Sequence, residues 1–211
     1  MMKKLLFSCV FLLSIFCFAQ KQIFESPKLY TEIRQHKTIA ILPFNCTITY
    51  KKQPKNFSTE ANKDQENSMA TSIQQSLYTF LLRRNDDYFV TFQDTEKTNV
   101  LLKRANVFDR LDELTKDEIA KILDVDAIIS GTYESHQSKS NGAAITTAVL
   151  FGGFGGKTGS GILTLLINNG SDGELLWRFF KTMDDNFAMS TDDLIEKMMR
   201  KVSRNFPYQK S

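Results

Sequence analysis

Histidine, cysteine and proline are scarce in this sequence, and net charge is almost absent. Two histidines, three cysteines and four prolines stand among 211 residues. A metal centre is therefore short of its usual nitrogen and sulfur ligands, and a disulfide-stapled scaffold is excluded. The 27 basic side chains are nearly matched by 24 acidic ones, a formal net charge of +3. No broad field draws such a chain to nucleic acid or anionic lipid, and a nucleic-acid partner is not expected. After the N-terminal segment no apolar run approaches the ~20 residues of a membrane-spanning helix. What is present is 42% hydrophobic and 24% charged residues, the balance of a globular domain and not of a collagen-like, coiled-coil or disordered chain. The length suits a single domain burying roughly 70% of its unfolded surface.

The N-terminal segment is the exception. Lys3 and Lys4 precede an apolar run from Leu5 to Phe18, and Cys17 and Ala19 are small residues placed before Gln20 as in a cleavage site. This order of charge, apolar run and small residues predicts a secretory signal peptide over residues 1–19. Its removal takes Lys3 and Lys4, leaving 25 basic against 24 acidic side chains, and takes Cys9 and Cys17, leaving Cys46 alone. One thiol closes no internal disulfide. Leu6-Phe7-Ser8-Cys9 has a lipobox-like ending but almost no apolar region ahead of it, and Phe16 precedes Cys17 where a lipobox wants a small residue. The expectation is an exported periplasmic protein, soluble or peripherally held at the outer membrane.

Along the rest of the chain, Lys37–Phe44 (KTIAILPF) reads as a buried strand that Pro43 ends. Lys51–Asn67 offers almost nothing to bury and reads as a long loop. Met69, Ile73, Leu77, Phe80 and Leu81 share a helical face that closes at Arg83 and Arg84. Tyr88–Phe92 reads as a second strand, Val100–Leu102 as the start of a weaker helix, and Thr115-Lys116-Asp117-Glu118 as the capping box of a short one. Val125–Glu134, Ile162–Ile167 and Glu174–Thr182 complete five strands, the last two joined by the turn-rich Asn168–Gly173. Leu194, Ile195, Met198, Met199 and Val202 make a final apolar helical stripe ended by Pro207. The expected fold class is α/β (α+β): a mixed five-stranded sheet covered by helices, in a single domain.

Chemistry is hard to find in this pattern. Gly152-Gly153-Phe154-Gly155-Gly156-Lys157-Thr158 invites a phosphate-binding reading, but Phe151 stands where the P-loop needs its first glycine, and a strand follows where a helix should. His36 and His136 lie among polar residues, and no serine sits in a Gly-x-Ser-x-Gly elbow. The carboxylates Asp124/Asp126, Asp184/Asp185 and Asp192/Asp193 read as loop, strand-end or helix-start residues. Trp177 alternates with Leu175 and Phe179, as a core residue does. No catalytic residue, cofactor or metal is expected.

The segment Ser135–Ser160 has a polar start, an apolar centre over Ala143–Phe154 and a glycine-rich exit. Its centre is too short to span a membrane as a helix, and it does not alternate as a barrel hairpin would. It reads either as a loop packed on its own core or as a surface for membrane or partner contact. The candidate contact residues are Ala143, Ile145, Val149, Leu150, Phe151 and Phe154, with Lys51, Lys52 and Lys55 around them. If the first and third strands run parallel as neighbours, both long segments leave one edge of the sheet.

Three stretches carry a resemblance. Lys37–Phe44 resembles the opening strand of the CsgG-like, TolB-amino-terminal-like and LpoB-like periplasmic domains. Leu114–Glu134 (LTKDEIAKILDVDAIISGTYE) is similar to their helix-then-strand signature, and Asp172–Trp177 (DGELLW) to their hairpin. The closing helix and Asn205-Phe206-Pro207-Tyr208 fit the same frame, so the resemblance spans about residues 37–208. It implies a non-enzymatic module for assembly or contact in the envelope of a Gram-negative bacterium. Its partners would be envelope proteins, with peripheral outer-membrane association and self-association as further expectations. The rival implication is a ring-forming outer-membrane secretion component of the curli-secretion type, from which the lipobox and the 135–160 segment depart.

Overall fold

Short apolar runs and period-two alternation build a mixed sheet in the computed structural model, which describes residues 23–53, 55, 57–137, 159–183, 191–202 and 205–210. Residues 1–19 and most of the 135–160 segment lie outside these. The described elements follow in the order β1 (Ile23–Glu25), α1 (Leu29–Glu32), β2 (Thr38–Ile41), β3 (Asn45–Tyr50), α2 (Thr59–Leu82) and β4 (Thr91–Phe92). Then come α3 (Thr95–Arg104), α4 (Lys116–Leu123), β5 (Ala127–Gln137), β6 (Gly159–Asn169), β7 (Leu175–Met183) and α5 (Thr191–Val202). The sheet order is β1-β7-β6-β5-β2-β4, with β3 also paired to β5. The mixed α/β class is as expected, but among the described residues the sheet has seven strands and not five. The two additions are β1 and β3, of which β3 has the larger consequences.

Strands β2 and β3 lie in line along the same side of β5, both parallel to it. Ile41 pairs with Ile129 and Asn45 with Thr132, so four steps on one side answer three on the other. The extra residue makes a bulge around Pro43, a place where a proline fits within a sheet. Pro43 therefore interrupts the ladder and does not end it. The bulge also shifts phase: Ile39 and Ile41 belong to the main core from β2, whereas Phe44, Cys46 and Ile48 belong to it from the following chain.

The main core lies between one sheet face and the helices α2 and α5. Met69, Ile73, Leu77, Phe80 and Leu81 of α2 and Ile195, Met199 and Val202 of α5 pack there against Ile129, Leu165, Trp177 and Phe179. On the other face, Leu102 of α3 and Ile119, Ala120 and Leu123 of α4 cover Ala40, Leu42 and Ile128. Gly131 on β5 is required by close packing, because a Cβ there would overlap the Phe44 ring and the Thr164 carbonyl oxygen.

Local signals account for the helix starts. Thr115 and Glu118 form the expected capping box, with the Thr115 N–H donating to Glu118 Oε2 at 2.8 Å. Asp94 Oδ1 accepts the N–H groups of Glu96 and Lys97 at 2.9 and 3.0 Å, so α3 begins before the apolar residues that marked it in sequence. Helix α2 departs most from expectation. The expected loop Lys51–Asn67 is helical from Thr59 onward. Ser58 caps it by accepting from the Ala61 N–H at 3.2 Å. Once the apolar half from Met69 is packed, adding polar turns ahead of it needs no new nucleus.

The second expected strand is shorter than Tyr88–Phe92. Asn85–Asp87 form a tight turn, and Tyr88 instead bridges to Gln209. Phe89 N–H donates to the Tyr208 carbonyl at 3.2 Å and Lys210 N–H to the Asp87 carbonyl at 2.8 Å, tying down the C-terminal segment. The β6–β7 turn is the expected hairpin, with Gly173 at φ +74° and Glu174 N–H donating to Asp172 Oδ1 at 2.9 Å.

Candidate contact surface

Four strand ends meet at one end of the sheet. Tyr50, the last residue of β3, pairs with Gln137, the last of β5. Gln137 in turn pairs with Gly159, the first of β6, and Gly161 pairs with Met183, the last of β7. The parallel neighbours on which the sequence argument depended are thus present as β2–β3 and β5. Tyr50 and Gln137, the last residues of β3 and β5, lie side by side.

Lys51, Lys52 and Lys55 follow β3 at this end, and all three are exposed. Beside them, Thr49 Oγ1 lies 2.6 Å from His136 Nδ1 across the β3–β5 pair, and both residues are exposed. Ala143, Ile145, Val149, Leu150, Phe151 and Phe154 lie outside the described residues, as do Asp184, Asp185 and the 152–158 glycine segment. The described part of the surface is therefore polar and basic.

The remaining chemically notable side chains serve structure. Cys46 is buried on β3, and burial pushes its thiol up to about 12, which keeps it out of the reactive thiolate form at neutral pH. Asp126 Oδ2 accepts the N–H groups of Lys37 and Thr38 at 2.7 and 2.8 Å, fixing the entry to β2. Asp124 ends α4 in the left-handed region at φ 53°. Trp177 is fully buried, stacked on Phe179 at 6.2 Å and edge-on to Phe206 at 6.0 Å. It shares the main core with Met199 and Val202, while the Met198 side chain lies outside the described residues.

Sequence reading missed a buried polar cluster around His36. Asn169 Nδ2 donates to Glu32 Oε2 at 3.2 Å and to Ser171 Oγ at 2.9 Å, which turns Asn169 Oδ1 toward His36 Nε2 at 3.2 Å. His36 Nε2 therefore carries the proton and donates, leaving Nδ1 to accept from the Tyr208 hydroxyl at 2.8 Å. Burial lowers the His36 pKa, against the pull of Asn169, Asp126 and Glu32. The same burial raises that of Tyr208. His36, Asn169 and Tyr208 are each less than a tenth exposed, so the cluster presents no open face to a substrate. Among the described residues no group of three or more His, Cys, Asp or Glu side chains is placed to hold a metal ion. Nor is any described helix long and apolar enough to cross a membrane.

These features define a single-domain α/β protein with one polar, basic sheet end. No protein-family model matches the sequence, and no curated protein matches it. Among solved structures it is similar to the PelC dodecamer from Paraburkholderia phytofirmans at 13% identity and a TM-score of 0.40, over 90% of this chain and 96% of that one. It is similar to lipoprotein GNA1162 from Neisseria meningitidis at 9% identity and a TM-score of 0.39, over 79% of this chain and 94% of that one. The LpoB C-terminal domain from Salmonella enterica is similar at 10% identity and a TM-score of 0.35, over 74% of this chain and 93% of that one.

Proposed function

We propose that this chain is an exported, non-enzymatic module of the Gram-negative envelope that binds a protein partner at the basic end of its sheet. The observation that carries the reading is the adjacency of Tyr50, Gln137 and Gly159, from which the lysine-bearing segment and the 138–158 segment leave together. A rigid sheet that carries two neighbouring segments of different character is a common foundation for a contact surface. The apolar residues Ala143–Phe154 supply the apolar contact in this reading, and Lys51, Lys52 and Lys55 the polar rim. Export rests on the order of residues 1–19 and is tested by N-terminal sequencing, which should start at Gln20.

Deleting residues 141–158 tests the contact. The deleted chain should melt within a few degrees of the full chain, reach the same compartment and lose its co-purifying proteins. An unchanged partner set in a folded, exported deletion variant would overturn the proposal. Loss of folding would overturn it too, by assigning the segment to the core. Native mass separates this from the ring-forming alternative: a monomer or dimer released by salt fits the binding module, and a detergent-dependent ring of many subunits defeats it.

A further inference from the structure

The outer edge of β3 is bonded by side chains of α2 in the way another strand would bond it. Among the described residues, strand β3 pairs with β5 on one side only. On the other, the Ile48 N–H donates to Glu66 Oε1 at 2.9 Å, and Asn62 Nδ2 donates to the Ile48 carbonyl at 3.5 Å. Asn62 and Glu66 lie one turn apart and are themselves bonded at 3.2 Å. A carboxylate replaces a strand carbonyl and a side-chain amide replaces a strand N–H, satisfying both backbone groups of one edge residue.

This cover is lightly held. Between Thr59 and Ser68 no side chain of α2 is buried, and the first buried one is Met69. A helical segment that is polar all round gains little packing energy and depends on its caps and tethers. Asn62 Oδ1 is buried without a hydrogen-bond partner among the described residues, so the tether also carries a desolvation cost. Beneath it the strand is well suited to pairing. Asn45–Tyr50 has no charge, proline or glycine, and alternates exposed Asn45, Thr47 and Thr49 with buried Cys46 and Ile48.

We infer that the outer edge of β3 is a strand-acceptor site closed by residues 59–68 of α2. Its occupant is an extended segment of a partner protein with apolar residues at alternate positions and an acidic end. Alternation is needed because one side of the added strand covers Cys46 and Ile48 while the other faces water beside Thr47 and Thr49. Acidity is needed because the exposed Lys51 and Lys52 follow β3 at once, with Lys55 close behind in the chain. On binding, the first turns of α2 lift, and the incoming carbonyl and N–H replace Glu66 and Asn62 at Ile48. The inference needs nothing from residues 138–158, so it stands or falls apart from the proposal above.

The test uses a fluorescent peptide of alternating valine and threonine flanked by aspartates, read by anisotropy on the full chain. The double variant Asn62→Ala/Glu66→Ala should bind it roughly tenfold more tightly than the unaltered protein. Binding should slow hydrogen exchange at the Ile48 amide, and a lysine-flanked peptide should bind more weakly. Equal binding by both proteins, or binding that leaves Ile48 exchange unchanged, overturns the inference. A measurement on the unaltered chain guards against a variant that fails to fold. Amides of residues 59–68 should exchange faster than those of residues 69–81, and uniform protection along α2 overturns the inference equally.

Discussion

Tyr208 and His36 stand 172 positions apart in the chain, yet the tyrosine hydroxyl donates to the histidine Nδ1 at 2.8 Å inside the protein. This bond fastens the C-terminal segment over the sheet, and it needs His36 uncharged. A protonated ring would offer Nδ1–H to a hydroxyl that has itself lost its buried acceptor.

Stability should therefore fall in mild acid. Burial depresses the folded-state pKa of His36 below its ordinary 6.5, so between the two values the unfolded chain binds the extra proton. By linkage the contribution of His36 is complete above pH ~6.5 and is lost as pH falls through the depressed folded value. Urea melts at pH 7.5 and at pH 5 should differ in that direction. The variant Tyr208→Phe should lose about 1–2 kcal/mol at neutral pH through the unpaired Nδ1. A histidine titration by NMR at or above the ordinary value would refute this account.

Trp177→Ala should cost about 3–5 kcal/mol, the usual range for emptying a large aromatic site. Trp177 is the one tryptophan in the sequence and is fully buried, so its emission should sit at the blue end and shift red on unfolding. Unchanged melting would place the ring at the surface.

Gly131→Ala should destabilise by about 1–3 kcal/mol through overpacking. Of the two obstructing groups, the Phe44 ring can be trimmed and the Thr164 carbonyl cannot. Phe44→Leu should accordingly recover part of the loss and not all of it, a non-additivity that a double-mutant cycle measures.

Cys46 should resist thiol reagents at pH 8 in the folded protein, since burial holds its pKa up at about 12. Labelling should become rapid only with unfolding. Fast labelling under native conditions would mean that β3 and α2 separate often.

Legibility in the sequence followed the range of the interaction. The capping box at Thr115–Glu118 and the Asn168–Gly173 hairpin depend on neighbours a few residues away, and each appears where its pattern placed it. The alternation of Leu175, Trp177 and Phe179 instead breaks at a register shift that buries Leu176 and leaves Leu175 partly exposed. Strand β3 was hidden because Pro43 looks like a stop, whereas here it occupies a bulge. The first turns of α2 were hidden because they bury no apolar side chain, so no apolar period marks them. His36 gave no local signal at all, as its partners Asn169 and Tyr208 lie 133 and 172 positions away. Of the candidate surface, the placement of Lys51 and Lys52 beside the end of β5 followed from parallel pairing. Its apolar residues lie outside the described chain.

The bulge at Pro43 makes tolerance to length change uneven along this part of the chain. Excising Pro43 would fuse β2 and β3 into one unbroken strand and leave every inward side chain inward, because Ile41 and Phe44 would then be separated by a single residue. A residue removed from between Asn45 and Tyr50 would instead turn part of the strand over, bringing threonines into the core and sending Cys46 or Ile48 outward. A shortened relative of this chain should therefore have lost its residue at the proline, and one that had lost it a few positions later should not fold.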